Sequence, residues 1–155
     1  MPTMISPHQL NHAKVFEKTS TQKICVSIGI ALMILGFIGV LIPSLVGMHL
    51  SFIHNGIHIG TGALAVWSGN THAKRAVRFC IAFGAIYGFI GIAGFILGVP
   101  GYPSSGNMEA DQNLFRIVPD FFELGTIDHI VHMLISAFLL YTAYFFRNEK
   151  LPRSK

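Results

Sequence analysis

A chain of 155 residues is long enough for one domain, but 52% of its residues are hydrophobic and only 12% carry a full charge, about half the charged share of soluble proteins. No Asp, Glu, Lys or Arg occurs between Lys23 and Lys74, between Arg78 and Glu109, or between Asp128 and Arg147. That distribution excludes a water-soluble globule, low-complexity disorder and a disulfide-rich scaffold. The net charge of +4 sits in segments flanking apolar runs, so it concerns membrane topology and excludes nucleic acid as a partner.

The pattern predicts an all-α integral membrane protein, a four-helix bundle forming a single membrane domain over residues 1–155. Its spans are expected at about 24–42, 48–68, 77–99 and 127–146, joined on one side by a long loop over 100–126. At about 1.5 Å per residue each reaches across a hydrocarbon core of about 30 Å. Helix is required because backbone groups facing lipid must bond within their own segment, and four spans cannot close a barrel. The first span is too long, and too poor in cleavage signals, for a removable leader.

Orientation follows from the basic residues. Lys14, Lys18 and Lys23 precede the first span; Lys74, Arg75 and Arg78 fill the connection between the second and third; Arg147, Lys150, Arg153 and Lys155 follow the fourth. The positive-inside rule places these and both termini in the cytoplasm, with Arg116 and four carboxylates opposite. A multi-pass protein of the cytoplasmic (inner) membrane is expected.

The sequence also carries an internal match. An offset of 55 places Lys23, Cys25, Gly29, Gly36 and Gly39 over Arg78, Cys80, Gly84, Gly91 and Gly94, and an offset of 74 places Asn55, His58 and Ala63 over His129, His132 and Ala137. Two tandem helix-hairpin repeats of like orientation imply a pseudo-two-fold axis along the membrane normal.

That axis would bring the second and fourth spans together at equal depth. His54 and His58 are i,i+4, as are Asp128 and His132, so each pair shares a helix face. Thr61, Ala65 and Ser68 continue one face; Ser136, Thr142 and Ala143 continue the other. Ionisable residues inside a membrane normally face the bundle interior and mark functional sites. Three imidazoles and a carboxylate make a four-ligand set for zinc, iron or manganese. Asn55 and His129, about 100° around their helices, would form an outer shell or a subunit contact.

Two other readings use the same residues. His58 and His132, repeat-equivalent, would serve as axial ligands of a b-type haem in an electron carrier, with glycines 56, 60 and 62 opening a slot. Alternatively, the cluster would only lock helix register in a non-catalytic accessory or scaffold subunit. No catalytic residue is identified, and whether the protein is an enzyme stays open. The bilayer is the expected partner, with a homo-oligomer or a larger membrane complex beyond it.

Smaller features complete the reading. Gly84, Gly88, Gly91, Gly94 and Gly98 permit close helix approach. Cys25 and Cys80 read as packing residues, and His8, His12, His49 and His72 as solvated, with His49 a secondary site candidate. The segment Leu114–Leu124 mixes aromatic and charged residues like an interfacial lid or anchor.

Asn55-x-x-His58-x-x-x-Gly62, the glycine-rich third span and Asp128-x-x-x-His132 together resemble an uncharacterised bacterial family of small four-span membrane proteins, a domain of unknown function. The resemblance covers roughly residues 24–146 and implies the architecture and these polar positions; it supplies no activity, and His54 and His129 are not part of its pattern.

Overall fold

The computed structural model describes residues 18–104 and 109–149; His8, His12, Lys14, Lys150, Arg153 and Lys155 lie outside the described residues. Four helices dominate the described residues: α1 (Ser20–Leu41), α2 (Phe52–Thr71), α3 (Ala73–Leu97) and α4 (Thr126–Phe146). Between α3 and α4 lies a small antiparallel sheet of β1 (Val99–Gly101), β2 (Asp111–Val118) and β3 (Phe122–Leu124), with β2 in the centre. The expectation of an all-α chain is corrected by that sheet.

Helices α1, α3 and α4 are long and apolar enough to cross a membrane. The 20-residue α2 is more polar because it carries His54, Asn55, His58, Thr61 and Ser68, all buried. Polarity is thus turned inward. Phe37, Leu41, Phe89, Ile96 and Leu134 are more than half exposed, as residues facing hydrocarbon should be.

Helix boundaries follow local chemistry. α1 starts earlier than the apolar run because Thr19 and Gln22 form a capping box, the Thr19 hydroxyl accepting from the Gln22 amide at 3.3 Å while the Gln22 side-chain oxygen accepts from the Thr19 amide at 3.2 Å. α2 starts later than expected: a turn over Leu45–Gly47, with Val46 at φ 53°, carries the chain to Ser51, whose hydroxyl caps the His54 amide at 3.2 Å. Only His72 separates α2 from α3, so Lys74, Arg75 and Arg78 occupy the first two turns of α3 rather than a connecting loop.

α1 packs chiefly on α2, and α3 on α4. Glycine makes both contacts close. A Cβ at Gly29 would lie 2.6 Å from the Gly62 carbonyl oxygen, and one at Gly36 would lie 2.8 Å from that of Asn55. On the other pair, a Cβ at Gly91 would lie 2.9 Å from the His129 carbonyl oxygen. Gly39 and Gly94 lie against the side chains of Asn55 and His129. Positions 55 apart on α1 and α3 therefore face positions 74 apart on α2 and α4.

The sheet sits over one end of the bundle. Leu114 and Leu124 point inward and are buried with Leu50 from the α1–α2 connection. Arg116 pairs across the strands with Glu123, Nε to Oε1 at 3.0 Å, and the amide and hydroxyl of Ser104 donate to the same carboxylate at 2.7 and 2.9 Å. Asp120, at φ 68°, turns β2 into β3. Lys18, Lys23, Lys74, Arg75, Arg78 and Arg147 lie towards the opposite end, where the amide of Ser20 donates to Glu149 at 2.7 Å.

Close approach at glycine yields a paired prediction. Gly29→Val should lower stability by about 1–3 kcal/mol through overpacking, whereas Gly56→Ala, where no atom lies within 4 Å of the added Cβ, should leave it unchanged or raise it. Thermal unfolding in detergent measures both; equal effects would show that the α1–α2 approach is looser than described.

Candidate functional site

Beneath the sheet, α2 and α4 bring three imidazoles together. The His54 and His58 rings stack with centroids 4.5 Å apart; His132 stacks at 5.8 Å from His54 and 6.3 Å from His58. All three are at least 95% buried, as is Asp128. Thr61, Ala65, Ser68, Ser136, Thr142 and Ala143 are buried along the same two faces.

Backbone carbonyls orient two of the rings. His54 Nδ1 donates to the His49 carbonyl at 2.8 Å and His132 Nδ1 donates to the Asp128 carbonyl at 2.6 Å. Since a carbonyl can only accept, Nδ1 carries the proton and Nε2 of the neutral ring keeps a lone pair. His58 has no such tether at Nδ1, which is buried without a hydrogen-bond partner among the described residues. His54 Nε2 is likewise unpartnered there.

Asp128 starts α4. Its Oδ2 accepts from the Gly125 amide at 2.8 Å and the His49 amide at 2.9 Å, while Oδ1 is buried with no partner among the described residues. A carboxylate in the first turn also meets the positive end of the helix dipole. His49, expected to be solvated or at most secondary, is 5% exposed and joins the site to the sheet: its Nε2 lies 3.5 Å from Asp111 Oδ2. Gly125 is required here, because a Cβ would strike the His49 ring and lie 2.6 Å from Asp111 Oδ2.

Asn55 and His129 are directed elsewhere. Asn55 Nδ2 donates to the Leu50 carbonyl at 3.0 Å, and His129 Nε2 donates to the Asn113 carbonyl at 2.8 Å. Both side chains belong to contacts between neighbouring elements, including the close approaches to Gly39 and Gly94. Two aromatic residues complete the enclosure: Tyr87, not among the residues expected at the site, and Phe122, which lies in the segment expected to form an interfacial lid or anchor. Tyr87 of α3 meets the His132 ring edge-on at 5.1 Å, and Phe122 of β3 meets His54 at 5.6 Å. Tyr87 is 3% exposed on a face continuous with Gly84 and Gly91, an inward stripe on which an aromatic hydroxyl was a legible signal. Phe122 became a neighbour only through the sheet.

Among the described residues, no group of three or more His, Cys, Asp or Glu side chains is arranged to hold a metal ion. The physical reason is the stacking: at 13–29° between ring planes the imidazoles present faces to one another, whereas ligation needs nitrogens directed at one point.

Outside the helices, Asp111 ties β2 to the start of α4. Oδ1 accepts from the Thr126 hydroxyl at 2.7 Å and Oδ2 from the Thr126 amide at 2.9 Å. Partial burial pushes this carboxyl up, but the Thr126 hydroxyl, the amides of Asn113 and Thr126, and His49 outweigh it and hold Asp111 below its usual range. For Glu123, burial is similarly outweighed by the amide and hydroxyl of Ser104, the Asp120 backbone and Arg116.

Comparison with protein-family models, with curated proteins and with solved structures finds no match to this chain.

Both loop carboxylates have depressed folded values, so their stabilisation is complete above the ordinary 3.8 of Asp and 4.5 of Glu and is lost as the pH falls through the lower folded values. Acidification from pH 7 to pH 3 should therefore lower the unfolding temperature in detergent. Asp111→Asn combined with Glu123→Gln should shrink that drop; an unaltered drop would assign acid lability to other groups.

Proposed function

We propose that this protein binds a divalent transition-metal ion, zinc, iron or manganese, between α2 and α4, with His54, His58, His132 and Asp128 as ligands. The observation carrying this reading is the set of buried atoms without hydrogen-bond partners among the described residues: His54 Nε2, His58 Nδ1 and Asp128 Oδ1. Each such atom costs about 1–3 kcal/mol, and a guest accepting electron pairs from all three would remove the penalty. The Nδ1 tethers on His54 and His132 suit it, because holding one ring nitrogen to a carbonyl leaves the other available as ligand. Since the rings stack, binding requires reorientation, and the untethered His58 is the one free to turn.

The ion would supply positive charge and a Lewis-acid centre beneath the sheet. His54, His58, His132 and Asp128 would hold it, His49 would hold Asp128, and Phe122 and Tyr87 would limit water.

In this reading the protein has four spans in the cytoplasmic membrane, with both termini inside and the sheet outside. The two hairpins are copies of one unit, as the matching contacts of Gly36 and Gly39 with Asn55 and of Gly91 and Gly94 with His129 support, and the likeness to small four-span membrane proteins belongs to the same reading. A scaffold role is the second reading, favoured by the near-parallel stacking, which is how unliganded rings fill space. Its weakness is that residues locking one another should pair all their polar atoms, whereas His54 Nε2, His58 Nδ1 and Asp128 Oδ1 have no partner among the described residues. Haem is less suited: the His54 ring, 4.5 and 5.8 Å from the two axial candidates, occupies the disc that a porphyrin would need.

Elemental analysis of purified protein should find close to one transition metal per chain, lost in His58→Ala and in His132→Ala. Chelation should lower stability by about 2.7 kcal/mol if free metal had been a hundredfold above Kd. Metal-free protein that is indifferent to chelator would leave the scaffold reading; a Soret band would establish haem instead.

A further inference from the structure

At the end opposite the sheet, we propose a binding site for an anionic phospholipid, its phosphate held by Lys74, Arg78 and Arg147 and an acyl chain lying along the groove between α3 and α4. The site is separate from the imidazole cluster and does not rest on any metal there.

Lys74, Arg78 and Arg147 line an open cleft of about 390 Å³ whose apolar wall includes Val77 and Phe146. Adjoining it is a groove of about 300 Å³ lined by Ile81, Leu140, Ala143, Tyr144 and Arg147. Arg147 belongs to both, so charged cleft and apolar groove are continuous. The spacing accounts for the continuity: 74, 78 and 81 lie on one face of α3, and 140, 143, 144 and 147 on one face at the end of α4. Running from the end of the bundle inwards, the two faces pass from cations to hydrocarbon within about two turns, as a phospholipid does from headgroup to chain.

The charge balance points the same way. Among the described residues, none of the three cations forms an ion pair. Glu149, the carboxylate on the cleft wall, accepts from the Ser20 amide at 2.7 Å and hydroxyl at 3.1 Å, which partly offsets its repulsion of an anion. The Arg147 guanidinium lies 5.2 Å over the Tyr144 ring, which draws it towards the groove mouth. Basic pockets between transmembrane helices recruit anionic headgroups. A free phosphate would satisfy the cations but leave the groove unused. Ile81, Leu140 and Tyr144 are each at least 40% exposed, on the side that faces lipid.

The test uses full-length protein in uncharged detergent, with native mass spectrometry and unfolding temperature as readouts. Phosphatidylglycerol should bind at least about tenfold more tightly than phosphatidylcholine and should raise the unfolding temperature. Arg78→Gln with Arg147→Gln should abolish that preference, and Arg78→Lys with Arg147→Lys should retain most of it. Both positions changed are exposed at helix ends, and circular dichroism checks that the fold persists. Equal binding of the two lipids, or a preference unaffected by the Gln pair, would overturn the site. Inorganic phosphate stabilising the protein as strongly as phosphatidylglycerol would overturn the lipid as its ligand.

Discussion

The enclosure of a polar seam inside an apolar bundle governs this molecule. His54, His58, Asp128 and His132 cannot face hydrocarbon without a cost of several kcal/mol for each unsatisfied group, so α2 and α4 must turn these faces to each other and away from lipid. The remaining packing follows. α1 covers one flank of α2 and α3 one flank of α4, and glycine on the covering helices lets backbone meet backbone. Attraction between apolar side chains cannot drive this assembly in lipid, because lipid is equally apolar; close van der Waals contact and buried hydrogen bonds take over that role.

The seam would be open at one end without the sheet. β3 sets Phe122 against His54, and the carboxylate of Asp111 in β2 holds the first amide of α4 while reaching His49. His49 in turn presents its amide to Asp128 and its carbonyl to His54. Loop, helix start and imidazole cluster are thereby one hydrogen-bonded unit, in which a shift of the sheet alters how Asp128 and His54 are held. That coupling makes the cluster more than a collection of polar residues near a surface, since its cover also orients its members.

The two ends of the bundle differ in chemistry. Near the sheet, carboxylates and imidazoles are buried and largely engaged by backbone. At the other end Lys74, Arg78 and Arg147 are exposed and without ion pairs among the described residues, beside the single carboxylate of Glu149 and above an apolar groove. On the proposals made above, the first arrangement would take a small, enclosed, positively charged guest and the second a large amphipathic anion from the surrounding bilayer. Burial separates the two cases, because a desolvated ligand set selects an ion by geometry, whereas exposed cations select by charge and remain screened by salt.

Much of this was legible from residues alone. Uncharged runs marked the helices because charge in hydrocarbon is too costly to place at random, and i,i+4 spacing put each polar pair on one face whatever the neighbours. The capping box at Thr19 and Gln22 was also readable, though the apolar run concealed it. The sheet was not: Leu114–Val118 has strand-forming residues, but its partners, Val99 and Glu123, are decided by how the loop folds back over the bundle. Asn55 and His129 illustrate the same limit. Their angular offset from the cluster was evident, yet only packing against Gly39 and Gly94 determined that they serve helix contacts. Sequence by itself determined the membrane character, the helical faces and which polar residues had to be hidden, because each follows from local periodicity and the cost of solvation. Tertiary structure alone decided that the imidazoles stack, that His49 joins them and that a sheet closes over them, because these depend on distances between segments that no local pattern encodes.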